Sequence, residues 1–274
     1  MLKKILKNPQ AVAGLVLIFI IVFAALTAPL IAPHSPDAVN PADKFLPASA
    51  EYPLGTDQLG RCEFSRLLYG ARYSLGMALP IVLGLSAAGL LIGSLSVCVG
   101  DKLNKIITYL TDVFMSFPSL IIAIAVISIL GNGTQNIAVA VIISMWAWFA
   151  RMVRSYCQIE MGKDYILAAK ISGCGKFKLI FRHLLPNIMP QFMVYISTSV
   201  ASAILTVSSF SFLGLGLPLG TAEWGAMLNE ARSCLYSHSE LLIYPGICIL
   251  ITTAGFNLFG EALRDILSRE DSGV

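Results

Sequence analysis

DYILAAKISGCGKFKLIFRHLLPNIMP, residues 164–190, is the stretch on which the reading of this chain turns. Apolar segments stand on both sides of it. Lys163 precedes it, Lys170, Lys176, Lys178 and Arg182 lie within it, and Leu185-Pro186 opens the next apolar run. A link between two membrane-crossing helices needs only a few residues. This one has a helical period of its own: Tyr165, Ala168, Ala169 and Ser172 fall at i, i+3, i+4 and i+7 and share one small, weakly apolar face. Gly173 and Gly175 interrupt that helix, the basic segment KFKLIFRH follows, and Pro186 suits a first helical turn, where its missing N–H costs nothing. A small-residue helix closed by glycine can lie deep in a groove of another protein. The alternative is an interfacial helix held on anionic lipid by its lysines.

Outward from this stretch the chain is apolar. Of its 274 residues, 56% are hydrophobic and 13% charged, with a mean hydropathy of +0.76. Soluble domains carry about 25% charged residues, so half that value points to an integral membrane protein. Windows 8–36, 73–100, 113–150, 183–222 and 241–260 lack Asp, Glu, Lys and Arg. A spanning helix takes about 20 apolar residues, and GNGTQ at 131–135 divides the third window. The expectation is therefore six spans, near 12–32, 76–99, 108–130, 136–152, 188–213 and 241–260. Strands of a membrane barrel would alternate in polarity over about ten residues, and no such alternation is visible. The basic flank MLKKILKNPQ resembles the start of a cleaved leader. The apolar run after it exceeds the usual leader core of about 7–15 residues, so an uncleaved anchor is expected.

Orientation follows from Lys and Arg. Segments 1–11, 100–107, 151–187 and 261–274 hold fourteen of the nineteen, and the alternate segments hold five. The first set, with both termini, is expected on the cytoplasmic side. The net charge of +3 is then a topological signal and not a nucleic-acid signal.

Residues 33–51, rich in Pro and Ala, read as an extended outer loop. In 52–75, Leu59, Phe64, Leu67 and Leu68 recur at helical spacing with Arg61, Glu63 and Arg66 between them. That predicts an amphipathic helix on the outer interface, a structural collar more than a chemical site. Span two carries Gly76, Gly84, Gly89 and Gly93, a small face suited to close packing in lipid. Asp112 is an ionisable residue within an expected span, hence a functional candidate, or else a carboxylate paired to a nearby basic residue. Pro118 is expected to kink or break its helix. Trp146 and Trp148 precede Arg151 and Arg154 as an aromatic belt followed by inside anchors. The three histidines and six cysteines form no CxxC or HxxxH pair. Cys234 and His238 could share a helical face, a weak metal signal, and no metal site and no disulfide framework is expected. There is no GxxxxGK[ST] stretch to cradle ATP phosphates.

Ala168-Ala169, then Gly173, then Leu185-Pro186 resembles the coupling loop of permease subunits of ABC importers. Its usual form is Glu-Ala-Ala, three residues, Gly, nine residues, Ile, one residue, Leu-Pro. Here Leu167 replaces the usual Glu and His183 the usual Ile. PLGTDQLGR (53–61), SRLLYGAR (65–72), SFPSL (116–120), FSFLGLG (210–216), EWGAMLNEAR (223–232) and FNLFGEALRD (256–265) resemble, in order, the second permease of the dipeptide, oligopeptide and nickel importers. Residues 146–155, 165–175 and 221–232 look closer to the nickel branch, as does Leu167. Val207-Ser208-Ser209 departs from the acidic residue that peptide permeases often carry there.

The resemblance implies an all-α integral membrane protein with six transmembrane helices, both termini cytoplasmic, in the ABC importer type I (MetI-like) permease fold. The implied division is a tail and first transmembrane helix (1–33), and an extracytoplasmic loop with an interfacial amphipathic helix (34–75). A five-helix permease core follows (76–262), with a cytoplasmic coupling loop at 155–187, and then a cytoplasmic tail (263–274). Implied partners are a second, different permease, two cytoplasmic ATPases that bind the ATP, an extracytoplasmic substrate-binding protein and membrane lipid. The chain itself would be no enzyme and bind no cofactor. Asp164, Tyr165, Ala168, Ala169, Gly173, Leu185 and Pro186 would couple it to the ATPases. The implied substrate is nickel as a chelate, with di- or oligopeptides as the alternative. The rival class is a secondary transporter without an ATPase, for which repeats or a buried carboxylate pair would speak. Neither is visible.

Overall fold

Asn8 starts the first long helix: its side-chain oxygen accepts from the amides of Gln10 and Ala11, and Pro9 fills the position where an amide hydrogen is not needed. The computed structural model describes residues 2–98, 100–218 and 220–271. The last three residues of the expected tail lie outside it. In chain order the helices are α1 (Leu2–Lys7), α2 (Pro9–Ile31), α3 (Glu63–Cys98), α4 (Asp101–Ser116), α5 (Ser119–Leu130) and α6 (Thr134–Met161). Then come α7 (Asp164–Ile171), α8 (Lys176–Leu179), α9 (Leu185–Phe212), α10 (Trp224–Ala231) and α11 (Glu240–Asp271). Among the described residues there is no strand, only one isolated bridge between Thr56 and Cys62.

Five helices are long and apolar enough to cross a membrane, and α4 with α5 makes the sixth if the bent pair is one span. The expected span at 108–130 is broken at Pro118, the residue expected to kink or break it. α4 and α5 meet at 89° across Phe117-Pro118. A proline disfavours the helical conformation of the residue before it, and Phe117 is extended, with φ −98° and ψ 140°.

The small residues of α3 face α6. A Cβ on Gly89 would lie 2.8 Å from the Phe149 side chain, and one on Gly93 would lie 2.6 Å from the Ala150 carbonyl. Gly14 and Gly255 do the same for α2 and α11: a Cβ on Gly14 would come within 2.6 Å of the Phe259 amide. Lipid tails give helices no hydrophobic reason to associate, so close backbone approach and dispersion carry the packing. The main core fills the middle of this bundle, around Ile81, Val141, Phe192 and Ile204. A second, smaller core of Cys98, Ile166, Leu179, Ile180 and Leu184 sits under the 164–186 stretch.

The expected interfacial helix at 52–75 is corrected. Residues up to Cys62 form tight turns, with Gly55 and Gly60 at φ +78° and +72°. A side chain on Gly60 would collide with the Asn40 carbonyl. The helix begins at Glu63 and runs unbroken into the span. Three charges of the segment point inward: Arg61, Glu63 and Arg66 are buried, whereas Leu59 and Arg72 are exposed. A periodic pattern shows that two faces differ but not which one is covered. Here the chain itself covers the polar one.

Candidate functional site

Two regions carry the polar chemistry, one at each end of the bundle. The first is the 164–186 stretch. α6 ends at Gly162, and Lys163 leads into the eight residues of α7. Ile166 is fully buried and anchors α7 in the small core. Glu160, itself buried, accepts from the Tyr165 hydroxyl and from Lys163 Nζ, each at 2.6 Å. Burial first, and then the hydrogen bond to Glu160, push the Tyr165 phenol well above its ordinary pKa. Tyr165 therefore stays a neutral donor and ties α7 to the end of α6.

α7 stops in a defined way. Gly173 sits at φ +76°, its amide donates to the Lys170 carbonyl, and the Cys174 amide donates to the Ala169 carbonyl, both at 3.0 Å. This pair of reverse bonds satisfies the last carbonyls of a helix and requires a left-handed residue where Gly173 stands. After α8, residues Ile180–Leu184 form a π-turn whose last bond runs from the Leu185 amide to the Ile180 carbonyl. Pro186, the second residue of α9, has no amide to give the preceding turn. The wider turn accommodates that loss.

The small face read from the sequence is divided in the fold. Tyr165 and Ala169 turn towards the body of the chain and are half-buried, whereas Asp164, Ala168, Ser172 and Gly173 are exposed. Leu185 is half-buried and Pro186 exposed. The outward side of α7 carries Leu167 and Ile171, the latter 79% exposed, and the next segment presents Phe177 and Phe181 in the same way. The sequence reading takes Leu167 only as a departure in the loop motif and does not take up Ile171, Phe177 or Phe181. Their signal was available: two i, i+4 apolar pairs inside a basic segment.

The second region is the charge cluster at the opposite end of the bundle. Arg61 Nε donates to Asp57 Oδ2 at 2.6 Å, and its Nη2 also pairs with Glu230. Arg66 reaches the same Glu230 at 3.1 Å and Asp57 at 3.7 Å, and donates to the Gly220 carbonyl at 3.0 Å. Glu230 in turn accepts from the Gly220 amide at 2.9 Å. Burial opposes the Arg61 charge, but Asp57 and Glu230 outweigh it and hold its pKa above the ordinary value. Beside the cluster, Glu223 caps α10 by accepting from the Gly225 and Ala226 amides, and takes a hydrogen bond from Ser74 at 3.1 Å. Trp224 is fully buried, donates to the Leu67 carbonyl at 3.1 Å and fills the space that Gly70 leaves.

The remaining candidates make local contacts. Asp112 pairs with Arg151 at 3.1 Å. Cys234 is buried, and the His238 ring stacks on Phe45 and meets Glu240 at 2.9 Å. Among the described residues no three His, Cys, Asp or Glu side chains converge as a metal site.

Residues 76–270 match the family described as the binding-protein-dependent transport system inner membrane component, and residues 1–48 match the N-terminal transmembrane domain of oligopeptide transport permease C. The chain is 36% identical over 254 residues to the nickel transport system permease protein of Escherichia coli strain K12, covering 93% of this chain and 92% of that one. It is 37% identical over 263 residues to the metal-staphylopine import system permease protein of Staphylococcus aureus strain Mu50, covering 96% and 91%. It is 35% identical over 265 residues to a dipeptide transport system permease protein of Alkalihalophilus pseudofirmus, covering 97% and 87%. The chain belongs to the binding-protein-dependent transport permeases. It is a multi-pass inner-membrane permease component of an ABC importer and a non-catalytic subunit. The reading as a secondary transporter is thereby set aside.

Proposed function

We propose that this permease carries nickel, bound as a chelate. It would form the path with a second, different permease, receive substrate from an extracytoplasmic binding protein and be driven by two cytoplasmic ATPases that hold the ATP. A bare divalent ion gives up its water only to replacement ligands. No cluster of such ligands is found among the described residues, which suits a metal that brings its own. The observation that carries the choice is the likeness to permeases for nickel and for metal-staphylopine over more than nine-tenths of the chain. A ligand-poor path suits a short peptide equally well, and the dipeptide relative keeps that as the second reading.

The stretch 155–187 is the cytoplasmic coupling loop in this proposal, with both termini on the same side. Asp164, Ala168 and Gly173 lie at its exposed surface, Tyr165 and Ala169 hold α7 to the body, and Leu185-Pro186 passes the movement into α9. Leu167, Ile171, Phe177 and Phe181 supply apolar surface for an ATPase groove. Deleting the chain should lower cellular nickel at limiting external metal, together with the activity of any nickel enzyme in the cell, and excess nickel should restore both. Unchanged nickel with lost growth on a dipeptide as sole source of an amino acid would replace nickel by peptide.

A further inference from the structure

A cleft between α3, α4 and α6 has no part in the reading above. Its volume is about 450 Å³, and Ser96, Thr108, Arg151, Arg154, Ser155 and Gln158 are among its walls. The two arginines differ. Arg151 is paired with Asp112. Arg154 has no carboxylate within ion-pair distance among the described residues. One of its terminal nitrogens donates to Thr108 Oγ1, and its Nε is shut off from solvent with no acceptor. A cation with an orphaned donor is costly to hold unless something negative answers it. The nearby hydroxyls of Ser96 and Thr108 spend their protons on the Gly93 and Asn104 carbonyls. Arg154, Ser155 and Gln158 are left to donate to a guest.

The depth of the cleft says what the guest is. α6 starts at Thr134, directly after the Gly131–Gly133 turn. Arg151 lies 17 residues further on, about 26 Å along the helix axis, close to the ~30 Å thickness of the hydrocarbon core. That places the cleft at the headgroup level of one leaflet. α5 returns alongside α6, and α4 stands at 89° to α5, so α4 runs nearly in the membrane plane. Its exposed side chains include Leu103, Ile106, Tyr109, Leu110 and Val113, with Lys102, Lys105 and, near its far end, Asp112, which is paired to Arg151, the composition of a helix resting on a lipid surface.

We infer that the cleft binds a phosphate group, presented by an anionic phospholipid, with Arg154 as its main ligand. Depth and not sidedness carries this, since both leaflets present phosphates at that level. An occupied cleft would clamp the in-plane helix α4 against α3 and α6.

The test uses the complete importer complex in mild detergent, titrated with phosphatidylglycerol or phosphatidylcholine and observed by native mass spectrometry. The wild type should retain phosphatidylglycerol preferentially. Arg154→Gln should weaken that binding about tenfold or more, and Arg154→Lys should recover part of it. Ser155→Asp, which puts a negative charge at the exposed rim, should weaken it as well and serves if Arg154→Gln fails to assemble. A parallel titration with inorganic phosphate separates the sources: displacement of the lipid that depends on Arg154 keeps the site and assigns it to soluble phosphate. Phosphatidylglycerol binding to Ser155→Asp and to whichever Arg154 variants assemble that equals the wild type would overturn the inference.

Discussion

The two ends of this bundle treat charge in opposite ways. At the 164–186 end, Lys163, Lys170, Lys176, Lys178 and Arg182 are exposed, and what holds the stretch is a small apolar core around Ile166. At the other end Asp57, Arg61, Arg66 and Glu223 are buried and Glu230 nearly so, and what holds the turns together is a network of charged hydrogen bonds. The difference teaches how each end keeps its shape. The charged end joins segments that the chain brings together from 169 residues apart, so Asp57, Arg61, Arg66 and Glu230 satisfy one another. The 164–186 end leaves Lys170, Lys176 and Lys178 and the large apolar side chains Leu167, Ile171, Phe177 and Phe181 exposed, the condition of a surface that another protein covers.

If the buried charge network is self-sufficient, breaking it should have the largest effect. Glu230→Ala takes a shared carboxylate from two buried arginines and the Gly220 amide, leaving Asp57 to answer both cations, and should cost about 3–5 kcal/mol. The check is the melting temperature of the purified complex or the amount of chain in the membrane; an unchanged melt would remove the contrast between the ends. Next comes Ile166→Ala, which empties the centre of the small core. It should cost about 2–3 kcal/mol, at the lower end for such a change because a satellite core can relax. Proteolysis should then cut within 164–186 first, before the bundle opens.

Gly173→Val forces a β-branched residue into a left-handed conformation, at about 1–2 kcal/mol. Uptake should fall with the chain still inserted, and Gly173→Asn should be milder because Asn tolerates that region. The smallest effect on stability is expected from Leu167→Ala with Ile171→Ala, within about 0.5 kcal/mol. The same pair should nonetheless lose the ATPases on copurification. Full retention of the ATPases would mean that these exposed side chains serve something other than docking.

Part of this was legible before any fold was known. The small face of α3 could be read from Gly84, Gly89 and Gly93, because close helix packing in lipid needs small residues wherever the partner lies. The break at Pro118 could be read from the proline itself. The orientation of α7 could not: Tyr165 and Ala169 share a face with Ala168 and Ser172 in an ideal helix, yet Glu160 and the small core draw the first two inward. The inward charges of Arg61 and Arg66 could not be read either, since their partner Glu230 is remote in the chain and only the fold brings it near.

The sequence by itself determined the membrane class, the apolar windows along the chain, and the family. Each of these is a sum or a pattern along the chain: a transfer free energy added over about twenty residues, or a motif series in order. The tertiary structure alone decided which side of each amphipathic segment is covered, that α4 turns through 89° away from α5, and which charges are paired. Those depend on residues distant in sequence meeting in space, and a one-dimensional sum carries no term for such meetings.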